Sequence, residues 1–214
     1  MSRIFLMFCA ALMALMAGAL FYAARIPTEI ALQQAATQPE PAEALAESTA
    51  PKPATPEAVT HPTFALPDLD GTAREFVEWD GKHRLLNFWA TWCAPCRREI
   101  PMLNAFQEEH GEAGFQILGI AVDYIEQVVP FAEETAFKYP ILIGQQDAMA
   151  VAESSGIEFI GMPFTMIVAR DGELLSAYLG ELHQNHLDDI VSILTLLDNG
   201  EINKTEASGA LDLL

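Results

Sequence analysis

Cysteine is scarce in this chain: Cys9, Cys93 and Cys96 are the only three in 214 residues. Three cannot staple a small disulfide-built scaffold. Positive charge is scarce too, with 11 Lys and Arg against 30 Asp and Glu and a formal net charge of −19. A polyanion would be repelled over most of such a surface, which excludes nucleic acid as a partner class. Charged residues are only 19% of the chain and hydrophobic ones 51%, so wholesale disorder is excluded as well. No internal repeat is present. The length allows one ordinary domain with additions.

The N-terminal 25 residues read as a membrane element. Residues 4–24 form a 21-residue run without a charge, bracketed by Arg3 and Arg25. As a helix the run spans about 30 Å, the thickness of a bilayer's hydrocarbon core. A cleaved signal peptide has a shorter apolar region, roughly 7–15 residues, so the length favours an uncleaved signal-anchor. Small residues at Ala17, Ala19, Ala23 and Ala24 keep cleavage open as the alternative. Cys9 lies inside the apolar run without a lipobox before it and reads as membrane filler. One flanking arginine on each side leaves orientation undecided.

Residues 26–60 hold nine Ala and six Pro and no aromatic residue. Such a stretch cannot bury enough apolar surface to offset its ordering entropy, and its prolines favour extended spacing. It reads as a tether.

Residues 61–200 have the patterning of one domain, and residues 201–214 are expected to be a C-terminal tail. Residues 64–77 suggest a short hairpin about the Asp70-Gly71 turn. Residues 84–90 and 115–122 are nearly all apolar, as strands buried on both faces are. Helical periodicity places Ile100, Leu103 and Phe106 on one face of a helix over 95–110. A helix over 126–137, a strand over 140–143 and a short helix over 148–154 follow. A hairpin over 164–179 turns at Arg170-Asp171-Gly172, and a helix over 186–197 closes the pattern. Strands alternating with helices predict an α/β domain around a mixed central sheet.

The chemistry concentrates at Trp92-Cys93-Ala94-Pro95-Cys96, between a buried strand and the first long helix. Two cysteines spaced by two residues on a first helical turn can bring their sulfurs within bonding distance. The first thiol also meets unpaired N–H groups and the helix dipole, which favour thiolate. A thiol of lowered pKa is both nucleophile and leaving group in thiol–disulfide exchange. Half of a zinc site and an inert disulfide are the competing readings. Zinc needs about four ligands, and the chain offers no second Cys pair and only His183 and His186 at ligand spacing. No metal and no cofactor are therefore expected, and His183 and His186 read as the start of the last helix. Redox chemistry is the favoured reading.

The run from Leu86 through Asn87, Trp89, Trp92, Cys93, Pro95, Cys96 and Glu99 to Pro101 resembles the active-site segment of the thioredoxin superfamily. More narrowly, it is similar to the membrane-anchored TlpA/ResA-like thiol–disulfide oxidoreductases of the bacterial envelope. The resemblance covers about residues 62–198, including the hairpin and the extra helix and strand over 126–143 that plain thioredoxins lack. It implies a thioredoxin fold and a redox-active Cys93–Cys96 disulfide. It also implies a single-pass inner-membrane protein with its domain in the periplasm. In Gly161-Met162-Pro163 the family has a cis-proline, which would set Pro163 beside the sulfurs and offer the Met162 backbone to a substrate strand. Trp92, adjoining the first thiol, is expected with Met162 and Pro163 to contact substrate.

Glu99 follows Cys96 by three residues and so shares its helical face. The resemblance implies that it assists proton transfer at Cys96. Asn87 stands where ordinary thioredoxins carry a buried aspartate and cannot titrate, which leaves that work to Glu99. Its competing reading is a solvated helix charge. Arg97 and Arg98 are expected to face water, Pro101 to break one helical hydrogen bond, and Trp89 to lie in the core. Met162 and Met166 are as readily packing residues as copper ligands.

The expected function is reduction of disulfides in client proteins, with electrons from a membrane donor of thiol–disulfide type. One alternative is a dedicated reductant for cytochrome c maturation. That subgroup has a Glu directly after the cis-proline, where this chain has Phe164. Another alternative is a non-catalytic chaperone or copper-handling module on the same fold, against which the intact cysteine pair argues. Peroxidase chemistry would want a lone peroxidatic cysteine apart from its partner.

Overall fold

The computed structural model describes residues 64–214. The expected membrane segment and tether lie outside the described residues, and among the described residues no helix is long and apolar enough to cross a membrane.

The sheet grows outward from β3 (His83–Trp89), every residue of which is buried. Its alternating side chains feed two cores: Leu85 and Trp89 point to one face, Leu86 and Phe88 to the other. β4 (Phe115–Val122) lies parallel to β3, and β5 (Ile141–Gly144) parallel to β4. On the other side β6 (Phe164–Val168) and β7 (Leu174–Leu179) add as an antiparallel hairpin, giving the order β5-β4-β3-β6-β7. A mixed α/β sheet of the thioredoxin type is thus present, as expected.

On the Leu85–Trp89 face pack α1 (Ala94–His110), α2 (Ile125–Thr135) and α4 (Gln184–Asp198), through Leu103, Phe106, Val128, Leu187, Ile190 and Leu194. The other face is covered by β1 (Ala65–Pro67), a 3₁₀ turn (Phe76–Trp79) and α3 (Gln146–Ser154), through Leu66, Phe76, Trp79, Val151 and Ala152. Each such fully buried Leu, Ile or Phe contributes about 1.5–3 kcal/mol of transfer free energy. The extra α2–β5 unit is where the sequence pattern put it. His183 and His186 do open the last long helix, as its N-cap and third helical residue.

Two segments differ from expectation. The hairpin expected over residues 64–77 ends early: β2 (Ala73–Glu75) stops before Phe76 and Val77, and the chain turns in 3₁₀ geometry. Phe76 and Trp79, three residues apart, thereby fall on one side and both become buried. The buried Arg84 holds this turn, its guanidinium 4.4 Å from the Phe76 ring and donating to Asp80 and to the Ala169 carbonyl. Residues 201–214, expected as a tail, contain α5 (Lys204–Leu211), which buries Ala207 and Leu211. Ser208 donates to the Leu175 carbonyl, Ser176 donates to Asp212, and Lys204 pairs with Asp171 and Glu173. This helix shields the outer strand β7, an edge that would otherwise be open to pairing.

Candidate active site

The turn from β3 into α1 carries the cysteines. Cys93 is the N-cap of α1 and Pro95 lies in its first turn, where a missing N–H costs no helical bond. The Cys96 N–H points at Cys93 Sγ, 3.4 Å away. Cys93 and Cys96 are joined as a disulfide with their Cα atoms 5.3 Å apart. Cys93 keeps 5% of its surface accessible and Cys96 none, so Cys93 is the outer sulfur.

Asp123 fixes this turn from the end of β4. Its Oδ2 accepts from the Thr91 N–H at 3.0 Å and the Thr91 hydroxyl at 2.6 Å, and its Oδ1 accepts from the Tyr124 N–H. Sequence reasoning missed Asp123. The available signal was an acidic residue directly after an apolar buried strand, a position from which a carboxylate reaches the neighbouring loop.

Glu99 is buried, one turn into α1 beyond Cys96. Asn87 donates to its Oε1 at 2.8 Å, and the Leu182 N–H donates to its Oε2 at 2.8 Å. The second Asn87 amide hydrogen goes to the Thr165 hydroxyl. Burial pushes the Glu99 pKa up to about 7; the bonds from Asn87 and Leu182 oppose that rise, and the nearby Glu181 charge adds to it. Glu99 is therefore not the solvated helix charge that was its competing reading. Pro101 sits inside α1, which continues through it to His110.

Pro163 follows a cis peptide bond from Met162. The register pairs Phe88 with Phe164, so Pro163 stands across from Trp89 at the sheet end from which the Cys93 loop departs. Gly180 N–H donates to the Pro163 carbonyl. Met162 is half-buried against the core that contains both cysteines, whereas Trp92 is 69% exposed. Tyr124 and Ile160, in the loops after β4 and before β6, are also exposed and extend the apolar rim at this end of the sheet. Arg97 and Arg98 are both exposed, as expected; Arg98 also pairs with Glu181, and the Arg97 guanidinium lies 5.4 Å from the Phe131 ring.

The redoxin family model matches residues 56–194. The chain belongs to the redoxin family. Among curated relatives, the thiol-disulfide oxidoreductase ResA of Geobacillus thermodenitrificans is 32% identical over 136 residues, covering 61% of this chain and 76% of that protein. ResA of Geobacillus kaustophilus is 33% identical over the same length and with the same coverage. Among solved structures, a thioredoxin-family thiol:disulfide interchange protein from Chlorobium tepidum aligns with a TM-score of 0.58 at 24% identity, covering 67% of this chain and 98% of that one. The thioredoxin domain of a thiol-disulfide oxidoreductase from Bacteroides vulgatus aligns with a TM-score of 0.54 at 25% identity, covering 65% and 97%. This redoxin is a ResA-like thiol–disulfide oxidoreductase of the thioredoxin superfamily.

Proposed function

We propose that this redoxin reduces disulfides in client proteins through Cys93 and Cys96, with Glu99 as proton acceptor for Cys96. The observation that carries the proposal is the Cys93–Cys96 disulfide at the N-terminus of α1, backed by a buried carboxylate on the same helix.

In the reduced protein the helix N-terminus stabilises the Cys93 thiolate. That thiolate attacks one sulfur of a client disulfide, forming a mixed disulfide and expelling the client's other sulfur as thiolate. Cys96 then gives its proton to Glu99 and attacks Cys93 Sγ. The Cys93–Cys96 disulfide forms and the client's second sulfur leaves as thiolate; with two electrons gained, the client's sulfurs take up the proton held by Glu99 and one from solvent to give the dithiol. A thiol donor must return two electrons to the pair. A carboxyl whose pKa is near 7 suits the proton step, because it can both accept and release a proton at neutral pH. Trp92, Met162 and Pro163 form the client-contacting rim, with Tyr124 and Ile160 extending it.

The 21-residue apolar run and the Ala/Pro-rich tether support an inner-membrane anchor at residues 4–24, with the domain in the periplasm and a membrane thiol–disulfide donor supplying electrons. Phe164 bears on the client. It is a core residue, its ring 5.3 Å from Phe88 and 5.9 Å from Phe159. Cytochrome c maturation would therefore have to proceed without the glutamate that its dedicated reductants carry there.

The test is trapping in cells. Cys96→Ala should accumulate a mixed disulfide through Cys93, and identifying the attached protein names the client. Cys93→Ser should trap nothing and lose turnover. Stoichiometric client binding unaffected by Cys93→Ser would instead establish the non-catalytic chaperone reading.

A further inference from the structure

Two buried hydrogen-bond donors have no partner among the described residues: the Trp89 indole Nε1 and the Tyr139 hydroxyl. Trp89 is 1% and Tyr139 6% exposed, so bulk solvent does not satisfy them. Leaving such a donor unsatisfied carries the full desolvation cost of the group. Both converge on one point of the sheet. A Cβ added to Gly119 would stand 2.6 Å from Ile141 Cδ1, 3.1 Å from a ring carbon of Tyr139 and 3.2 Å from Trp89 Nε1. Gly119 is the register partner of Asn87, the residue that donates to Glu99. The bare Cα of Gly119 thus lets an indole and a phenol approach the strand position next to the carboxylate's anchor.

We propose that a buried water molecule binds between Trp89 Nε1, Tyr139 Oη and the Glu99 carboxylate, making Trp89 and Tyr139 positioning residues for that carboxylate. The bonding arithmetic fixes the water's orientation. The two donors take both of its lone pairs, so both of its hydrogens are free to point at acceptors. Glu99 supplies an acceptor, since each of its oxygens takes only one of the two bonds it can accept. The water therefore favours the ionised form of Glu99, as Asn87 and Leu182 do. Burial and the Glu99 charge both raise the Tyr139 pKa, which keeps the phenol a neutral donor. The other titratable groups around Glu99 are Cys96 on its own helix and Glu181 before α4, the latter paired with Arg98.

A water at this point gives Glu99 a partner to which the proton taken from Cys96 can pass. This role rests on the assignment of Glu99 as the base; the water site does not.

The experiment combines a crystal structure that resolves ordered solvent with infrared titration of the Glu99 carboxyl band in the full-length oxidised protein. Ordered water within hydrogen-bonding distance of both Trp89 Nε1 and Tyr139 Oη is expected. Tyr139→Phe removes one hydroxyl at nearly constant volume and should raise the Glu99 midpoint by roughly half to one pH unit. Trp89→Phe should move it in the same direction. In mixed-disulfide resolution, Tyr139→Phe should be slower than wild type near pH 6.5 and match it near pH 9. A dry site, or an unmoved Glu99 midpoint in Tyr139→Phe, overturns the proposal. If Glu99→Gln leaves resolution unchanged while the water and the Tyr139-dependent midpoint are both present, the base assignment fails and the water site stands.

Discussion

Replacing Glu99 by Gln should change how the stability of the oxidised protein depends on pH. In the unfolded chain the carboxyl titrates near 4.5, and in the fold burial lifts it to about 7. Between those values the folded state holds a proton that the unfolded state has lost. The stabilisation from Glu99 is therefore fully present below pH 4.5 and disappears as pH rises through 7. The difference of about 2.5 units, at about 1.36 kcal/mol per unit, corresponds to roughly 3 kcal/mol. Glutamine does not titrate and escapes this loss. It has its own cost, because one carboxylate oxygen becomes an NH₂ facing either the Asn87 amide or the Leu182 N–H, about 1–3 kcal/mol for the bond lost. The cost is independent of pH, so the slope isolates the carboxyl. Glu99→Gln should be less stable than wild type at pH 4.5 and should gain on it by roughly 3 kcal/mol by pH 8.5. Guanidinium titrations at half-unit pH steps measure this, and the disulfide removes the cysteines from the titration. A stability difference that stays flat from pH 4.5 to 8.5 would refute the reasoning.

Three further outcomes are expected. Asp123→Ala strands the Thr91 N–H, the Thr91 hydroxyl and the Tyr124 N–H, and should cost about 1–3 kcal/mol in denaturant melts and slow the attack of Cys93, with Asp123→Asn milder on both. His83 is buried beside Asp198 and Arg170, and burial holds its pKa below the usual 6.5. The unfolded chain therefore takes up the proton first, and stability should fall as pH drops below 6.5; thermal melts of His83→Gln should lack that component. Deleting residues 2–25 should move the protein from the membrane pellet to the soluble fraction, and a wild-type protein found soluble with a processed N-terminus near residue 25 would contradict the anchor.

What was legible in the sequence was local. The Cys93–Cys96 spacing, the apolar run of β3 ahead of it and Glu99 three residues beyond Cys96 all lie within a stretch of 17 residues. Helical periodicity and strand burial relate such neighbours directly. The helix α5 was also within reach, because Asn203 and Glu206 form a capping box that marks its start. Its short, Gly209-containing run is a weak helix former, and it is β7 beneath it that gives the segment something to pack on. The strand expected at Phe76 became a 3₁₀ turn because Arg84 and the second core reward burying Phe76 and Trp79 together.

The environment that gives those residues their chemistry was decided by the tertiary structure. Glu99 is held by Asn87 from β3 and by the backbone of Leu182, 83 residues away in the chain. Asp123 reaches Thr91 across 32 residues, and Tyr139 and Trp89 both approach Gly119 because β4 runs between β3 and β5. Spacing can place a carboxylate on a helix face, but its proton affinity depends on how much water the fold removes and which donors it supplies in return. No local pattern carries that information, because the groups that set it arrive from strands and loops far along the chain.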